Sequence, residues 1–99
     1  MRVELAEEAE RNLEEIGDYI AHASPARAET FTRALREAAL ALGHAPRAYP
    51  LVPRFERLGV RRRVHGNYVI LYRVERQRVV VMYIVHGARD YGRLLLPDE

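Results

Sequence analysis

The sequence predicts an α+β fold: an N-terminal strand, then an αα-hairpin packed on a twisted antiparallel sheet of three to four strands, in the order β-α-α-β-β-β. Two stripes of helical period fill residues 6–42, and three strand-like runs follow between residues 58 and 86. The links inside each group are short enough for antiparallel neighbours, which places helices on one side and a meander on the other. Ninety-nine residues, 48% of them hydrophobic, suit a single domain over residues 1–99 with one core.

The elements follow in order. "MRVEL" alternates Val3 and Leu5 with polar neighbours and predicts a short strand. From Ala6 the period changes, and Leu5, Ala9, Leu13, Ile16 and Ile20 form one helical face, with Glu7 and Glu8 in the first turn where carboxylates favour the dipole. "ASPAR" stops this helix: Pro25 drives Ser24 out of the α region, and Ser24 caps a second helix with Pro25 at its first position. Ala28, Phe31, Leu35, Ala38 and Leu42 line that helix until Gly43 and Pro46 end it. After the irregular "PRAYPLVPRFER" come strands at about Leu58–Val64, Tyr68–Glu75 and Arg78–His86, joined by "HGN" and "ERQR". The last run is apolar at both parities, Val80, Met82 and Ile84 on one side and Val79, Val81, Tyr83 and Val85 on the other, which predicts an interior strand.

Composition excludes several chemistries. There is no cysteine, so neither a disulfide nor a thiolate zinc site is available. There is no lysine either, which removes Schiff-base and P-loop lysine chemistry. His22, His44, His65 and His86 lie about twenty residues apart, without metal-ligand spacing. No metal or cofactor is expected. The longest apolar run, Val79 to Val85, is far short of the roughly 20 residues of a membrane span, and the acidic N-terminus is no signal peptide, so a cytoplasmic, membrane-free protein is expected. Residues 1–46 carry five arginines against nine acids, and residues 47–99 eleven against five. The second half is therefore expected to face something negative.

The candidate chemistry sits in that half. Alternation sends Arg61 and Arg63 to one face of the sheet and Arg62 to the other. The run either protects an edge strand by charge or forms a cationic patch that Arg73 and Arg89 would reinforce. Arg73 interrupts a central strand, a place usually reserved for a pocket or an internal pair. His86 ends the last strand, and Gly87 allows a turn that folds Arg89 and Tyr91 back beside it. Each of these also has a structural reading, and a lone histidine at a strand end is more often a structural hydrogen-bonder than a catalyst.

The order of elements and the residues together resemble the RelE/ParE superfamily, the toxins of bacterial type II toxin–antitoxin pairs. The resemblance runs through "LAEEAERNLEEIGDYIA", "SPARAETFTRAL", "HAPRAYPLVP" and "RRRVHGNYVILYRVERQRVVVMYIVHGARD". "NYVILYRV" followed a dozen residues later by "HGARD" is its most specific part. The details are closer to the ParE branch, which implies a non-enzymatic inhibitor of DNA gyrase neutralised by a ParD-like antitoxin. The RelE branch implies instead a ribosome-dependent mRNA endonuclease, whose chemistry needs a base, an acid and cations around the phosphorane. This chain departs from that pattern: it lacks lysine, His86 precedes Gly87 rather than tyrosine, and Tyr91 lies well before the end. A ribonuclease would have to use His86, Arg73, Arg62 and Tyr91. A third alternative is a non-toxic antitoxin-binding module of the same fold.

The expected target-binding set is thus Arg61, Arg62, Arg63, Arg73, His86, Arg89 and Tyr91. The resemblance also implies an antitoxin that folds on this chain as a hetero-oligomer and alone carries any contact with operator DNA. The expected landing strip is Tyr49, Leu51, Val52, Phe55 and Leu58, part of it exposed until the antitoxin covers it. These residues equally suit a cap on the core between hairpin and sheet.

Overall fold

The computed structural model describes residues 1–96. Strand β1 (Arg2–Leu5) leads into helices α1 (Glu7–Ala21) and α2 (Pro25–Leu40), followed by strands β2 (Val60–His65), β3 (Tyr68–Glu75) and β4 (Arg78–His86) and a short helix α3 (Gly92–Leu95). Short 3₁₀ turns occupy Ala41–His44 and Glu56–Leu58. Ser24 caps α2 as its sequence suggests, its hydroxyl accepting from the Arg27 amide at 3.2 Å. Leu5 belongs to β1, and the buried face of α1 begins at Ala9. Strand β2 begins at Val60 rather than Leu58, because Glu56–Leu58 coil into a turn and Gly59 breaks the backbone at φ 70°.

The sheet order is β1-β4-β3-β2. Strands β2, β3 and β4 form the expected antiparallel meander. The N-terminal strand departs from the expected antiparallel sheet: β1 runs parallel to β4, pairing Arg2 with Arg78 through Leu5 with Val81, so the sheet is mixed. The helices account for this. Helix α1 continues beyond β1 along β4, where the Asn12 side-chain oxygen accepts the Ile84 amide at 3.0 Å in place of a strand partner. Helix α2 then returns the chain to the end where β1 started, and the Met1 amino group donates to the Gly43 carbonyl at 3.1 Å. A Cβ at Gly43 would lie 2.2 Å from the Met1 carbonyl oxygen, so only glycine permits this closure.

Two hydrophobic clusters hold the sheet. On the helix side Leu13, Ile16, Leu35, Leu42, Ile70, Tyr72, Val79, Val81 and Ile84 are buried together. On the other side Val52, Val60, Val69, Leu71 and Val85 form a smaller core, partly covered by Phe55, Leu58, Tyr91, Leu94 and Leu95. Strict alternation in β4 fails at Met82. The register slips between Leu71 and Tyr72, which pair with Tyr83 and Val81, so Met82 is an extra residue. Beyond the bulge Ile84 joins Val79 and Val81 on the helix side, while Tyr83 and Val85 turn to the second core.

Candidate interaction surfaces

The arginine run in β2 divides between the faces as alternation requires, but its guanidinium groups are already engaged. On the helix side Arg61 donates to the Tyr49 carbonyl at 2.7 Å and to the Arg47 carbonyl at 3.4 Å. Arg63 donates to the Ala38 carbonyl at 2.8 Å, near the end of α2, and lies 5.1 Å from the centre of the Tyr49 ring. A cation suits the last turn of a helix, whose carbonyls lack intrahelical partners. Tyr72 adds a third tie, its hydroxyl donating to the Pro46 carbonyl at 2.7 Å, and burial pushes that phenol's pKa up. Together these bonds fasten residues 46–49 and the end of α2 to the sheet.

On the opposite face Arg62 donates to the Tyr91 hydroxyl at 3.0 Å. Arg73, a cross-strand neighbour of Val60, pairs with Glu75 at 2.7 Å. Glu75 also accepts from Arg78 at 3.1 Å, Arg78 reaches Glu4 at 2.6 Å, and Glu4 pairs with Arg2 at 3.0 Å. The bond from Arg78, with Arg73 adding charge, holds the Glu75 carboxyl below its usual range. The Arg73 Nε is the one buried side-chain polar atom without a partner among the described residues.

His86 lies at the other end of the sheet. It is exposed, its Nδ1 accepts the Ala88 amide at 3.1 Å, and its ring meets Tyr68 edge-on at 5.6 Å. Tyr68 also packs against Phe31 at 5.6 Å, and Phe31 against His65 at 5.9 Å. Arg89 follows in the turn, its amide bonded to the His86 carbonyl, and borders a shallow cleft with Glu15, Tyr19 and His86. A larger apolar cleft of about 630 Å³ opens beside it between the α1–α2 turn and the β2–β3 hairpin, lined by Tyr19, Phe31, Gly66 and Tyr68 among others. Tyr19 is 76% exposed on its rim. The sequence reading passed over Tyr19; its signal is an aromatic residue off the Leu13–Ile16–Ile20 stripe.

The expected target-binding residues therefore do not form one patch. Arg61 and Arg63 serve the helix side, Arg62, Tyr91 and Arg73 lie on the opposite face, and His86 and Arg89 stand at the hairpin end. The ribonuclease combination is separated likewise. Arg62 and Tyr91 touch, but Tyr68, the cross-strand partner of His86, is five residues from Arg73 along β3, a separation of ~17 Å that one phosphate cannot span. Among the described residues no three His, Cys, Asp or Glu side chains group as metal ligands.

The expected landing strip is less exposed than the sequence suggested. The Val52 amide donates to the Val60 carbonyl and the Arg62 amide to the Pro50 carbonyl, and Leu51 bridges to Arg61, seating the stretch along the outer edge of β2. Val52 is 3% exposed, and Tyr49, Leu51, Phe55 and Leu58 are half-buried. None stands fully exposed, because the stretch caps both cores. The same segment carries two exposed arginines that the sequence reading missed, Arg54 and Arg57. In an irregular stretch no period orients a side chain, so only their charge marked them.

Comparison with known proteins places this arrangement. A search of curated protein sequences found no match. Among solved structures the fold is similar to that of a chain of the chromosomal ParDE TA system from P. aeruginosa, with a TM-score of 0.73 and 19% identity over 87% of this chain and 95% of that one. A profile of the ParE toxin of type II toxin-antitoxin systems, parDE, matches residues 3–91, from β1 to the tyrosine that receives Arg62. The chain belongs to the ParE toxin family of type II toxin-antitoxin systems.

Proposed function

We propose that this toxin arrests growth in the cytoplasm by inhibiting DNA gyrase and is neutralised by a ParD-like antitoxin in a hetero-oligomer, with operator DNA contacted only through the antitoxin. The observation that carries the gyrase reading over mRNA cleavage is the match to the ParE family across residues 3–91. The separation of Arg73 from His86 supports it, since it leaves no assembled acid, base and cation set among the residues a ribonuclease would use.

For the antitoxin, the apolar cleft beside Tyr19, Phe31 and Tyr68 offers seats for apolar side chains of an extended or helical segment. Tyr49, Leu51, Phe55 and Leu58 retain partial exposure for a second contact along β2, next to the buried Val52. A segment that orders on binding loses chain entropy, which a large wrapped surface offsets.

The test is a supercoiling assay with purified gyrase and the full chain. Inhibition with accumulation of cleaved DNA, relieved by the cognate antitoxin, is expected. Normal supercoiling at saturating toxin overturns the reading. New cleavage of translated mRNA in the ribosomal A site, seen by primer extension, would put the ribonuclease in its place.

A further inference from the structure

The face of the sheet opposite the helices carries an arginine patch that takes only Arg62 from the β2 run. The turn at Glu56–Leu58 and helix α3 meet over the second core: the Phe55 ring lies 3.1 Å from where a Cβ on Gly92 would stand. Arg54 and Arg57 are exposed on the first segment and Arg93 on α3, and Arg62 reaches the Tyr91 hydroxyl at the start of α3. Among the described residues none of the four has a carboxylate partner, whereas Arg2, Arg11, Arg33, Arg36, Arg73 and Arg78 each do. Of the two acids alongside, Glu56 and Asp90, the second is turned back onto the Gly92 amide at 3.1 Å. Arg54 also holds φ at 77°, a conformation that side chains other than glycine rarely adopt.

We infer that this patch binds the phosphodiester backbone of duplex DNA. The inference deepens the gyrase reading and rests on it for the patch's role in toxicity. Guanidinium forks match phosphate oxygens, and an array of them binds by counterion release without a shaped apolar pocket. Phe55 and Tyr91 are half-buried against the second core, which limits the ring area open to stacking on splayed bases and favours a duplex over a single strand.

The experiment titrates the full chain against a labelled duplex of arbitrary sequence across a salt series, without gyrase. Affinity should fall with salt at a log–log slope of about −0.9 per phosphate contacted, and Arg54→Ala/Arg57→Ala should reduce the slope by about two. Arg11→Ala, which removes charge from the helix side, should leave the slope unchanged. No duplex binding at low ionic strength, an unchanged slope in the double variant, or tighter binding to single-stranded RNA or polyglutamate overturns the inference. The supercoiling assay separates the two readings. If wild-type toxin binds duplex but spares gyrase, the gyrase reading fails alone. If the double variant loses duplex binding and inhibits gyrase fully, the patch has no role in the target complex.

Discussion

Arg62 and Tyr91 meet at 3.0 Å across the face of the sheet opposite the two helices, joining β2 to the start of α3. The bond is half-buried, and the Tyr91 ring packs on the second core beneath it. Tyr91→Phe keeps the ring and removes the hydroxyl, so about 1 kcal/mol of stability should be lost, less than the full value of a charged bond because water reaches the guanidinium. Tyr91→Ala should cost more, since the ring's apolar contacts go as well. Urea unfolding of both variants checks the order; equal losses would mean the ring contributes nothing.

Asn12 is the one buried polar side chain of α1, and it completes a sheet edge that β1 is too short to cover. Asn12→Ala leaves the Ile84 amide buried without an acceptor, at a cost of about 1–3 kcal/mol. Amide exchange gives a local readout: Ile84 should exchange faster while Leu71, on the β3 side, keeps its protection. If Ile84 keeps its protection, another acceptor holds it.

Much of this was legible from the chain. The termini of β3 and β4 follow from turn residues at "HGN" and "ERQR", and both helical faces from apolar spacing. The bulge at Met82 was not, because a strand apolar at both parities carries no mark where its faces exchange. Nor was the direction of β1, which depends on where α2 ends, a tertiary matter that no local pattern encodes. Alternation sorted Arg61 and Arg63 from Arg62 correctly, yet gave no hint that the first two would find backbone carbonyls of residues 38, 47 and 49. Charge in a sequence reads as surface; only the fold shows which charges are already bonded.

That bonding gives Arg63 a testable status. Its guanidinium bonds the Ala38 carbonyl and lies over Tyr49, so Arg63→Met should lose about 1–2 kcal/mol of stability while keeping much of the stem's packing. Gyrase inhibition, compared at equal folded concentration, should be unchanged. A variant of wild-type stability with weakened inhibition would reassign Arg63 from a structural tie to a target contact.

The helices should also give the fold a defined acid sensitivity. Arg36 of α2 clamps Glu10 of α1 through two bonds, at 2.6 and 3.1 Å, and these hold the Glu10 carboxyl below its ordinary value of 4.5. A carboxylate with a depressed folded pKa adds stability that is complete above the unfolded value and disappears as pH falls through the folded one. The contribution of this pair should therefore be intact at neutral pH and be lost only as pH falls below that ordinary value. Both side chains are nearly half exposed, so solvent screening limits the effect to about 0.5 kcal/mol. Glu10→Gln should unfold at lower urea than wild type at neutral pH, with the difference closing in acid. A double-mutant cycle with Arg36→Met isolates the pair from other carboxylates, Glu75 included. A coupling energy that persists in acid would mean that Glu10 does not titrate in this window.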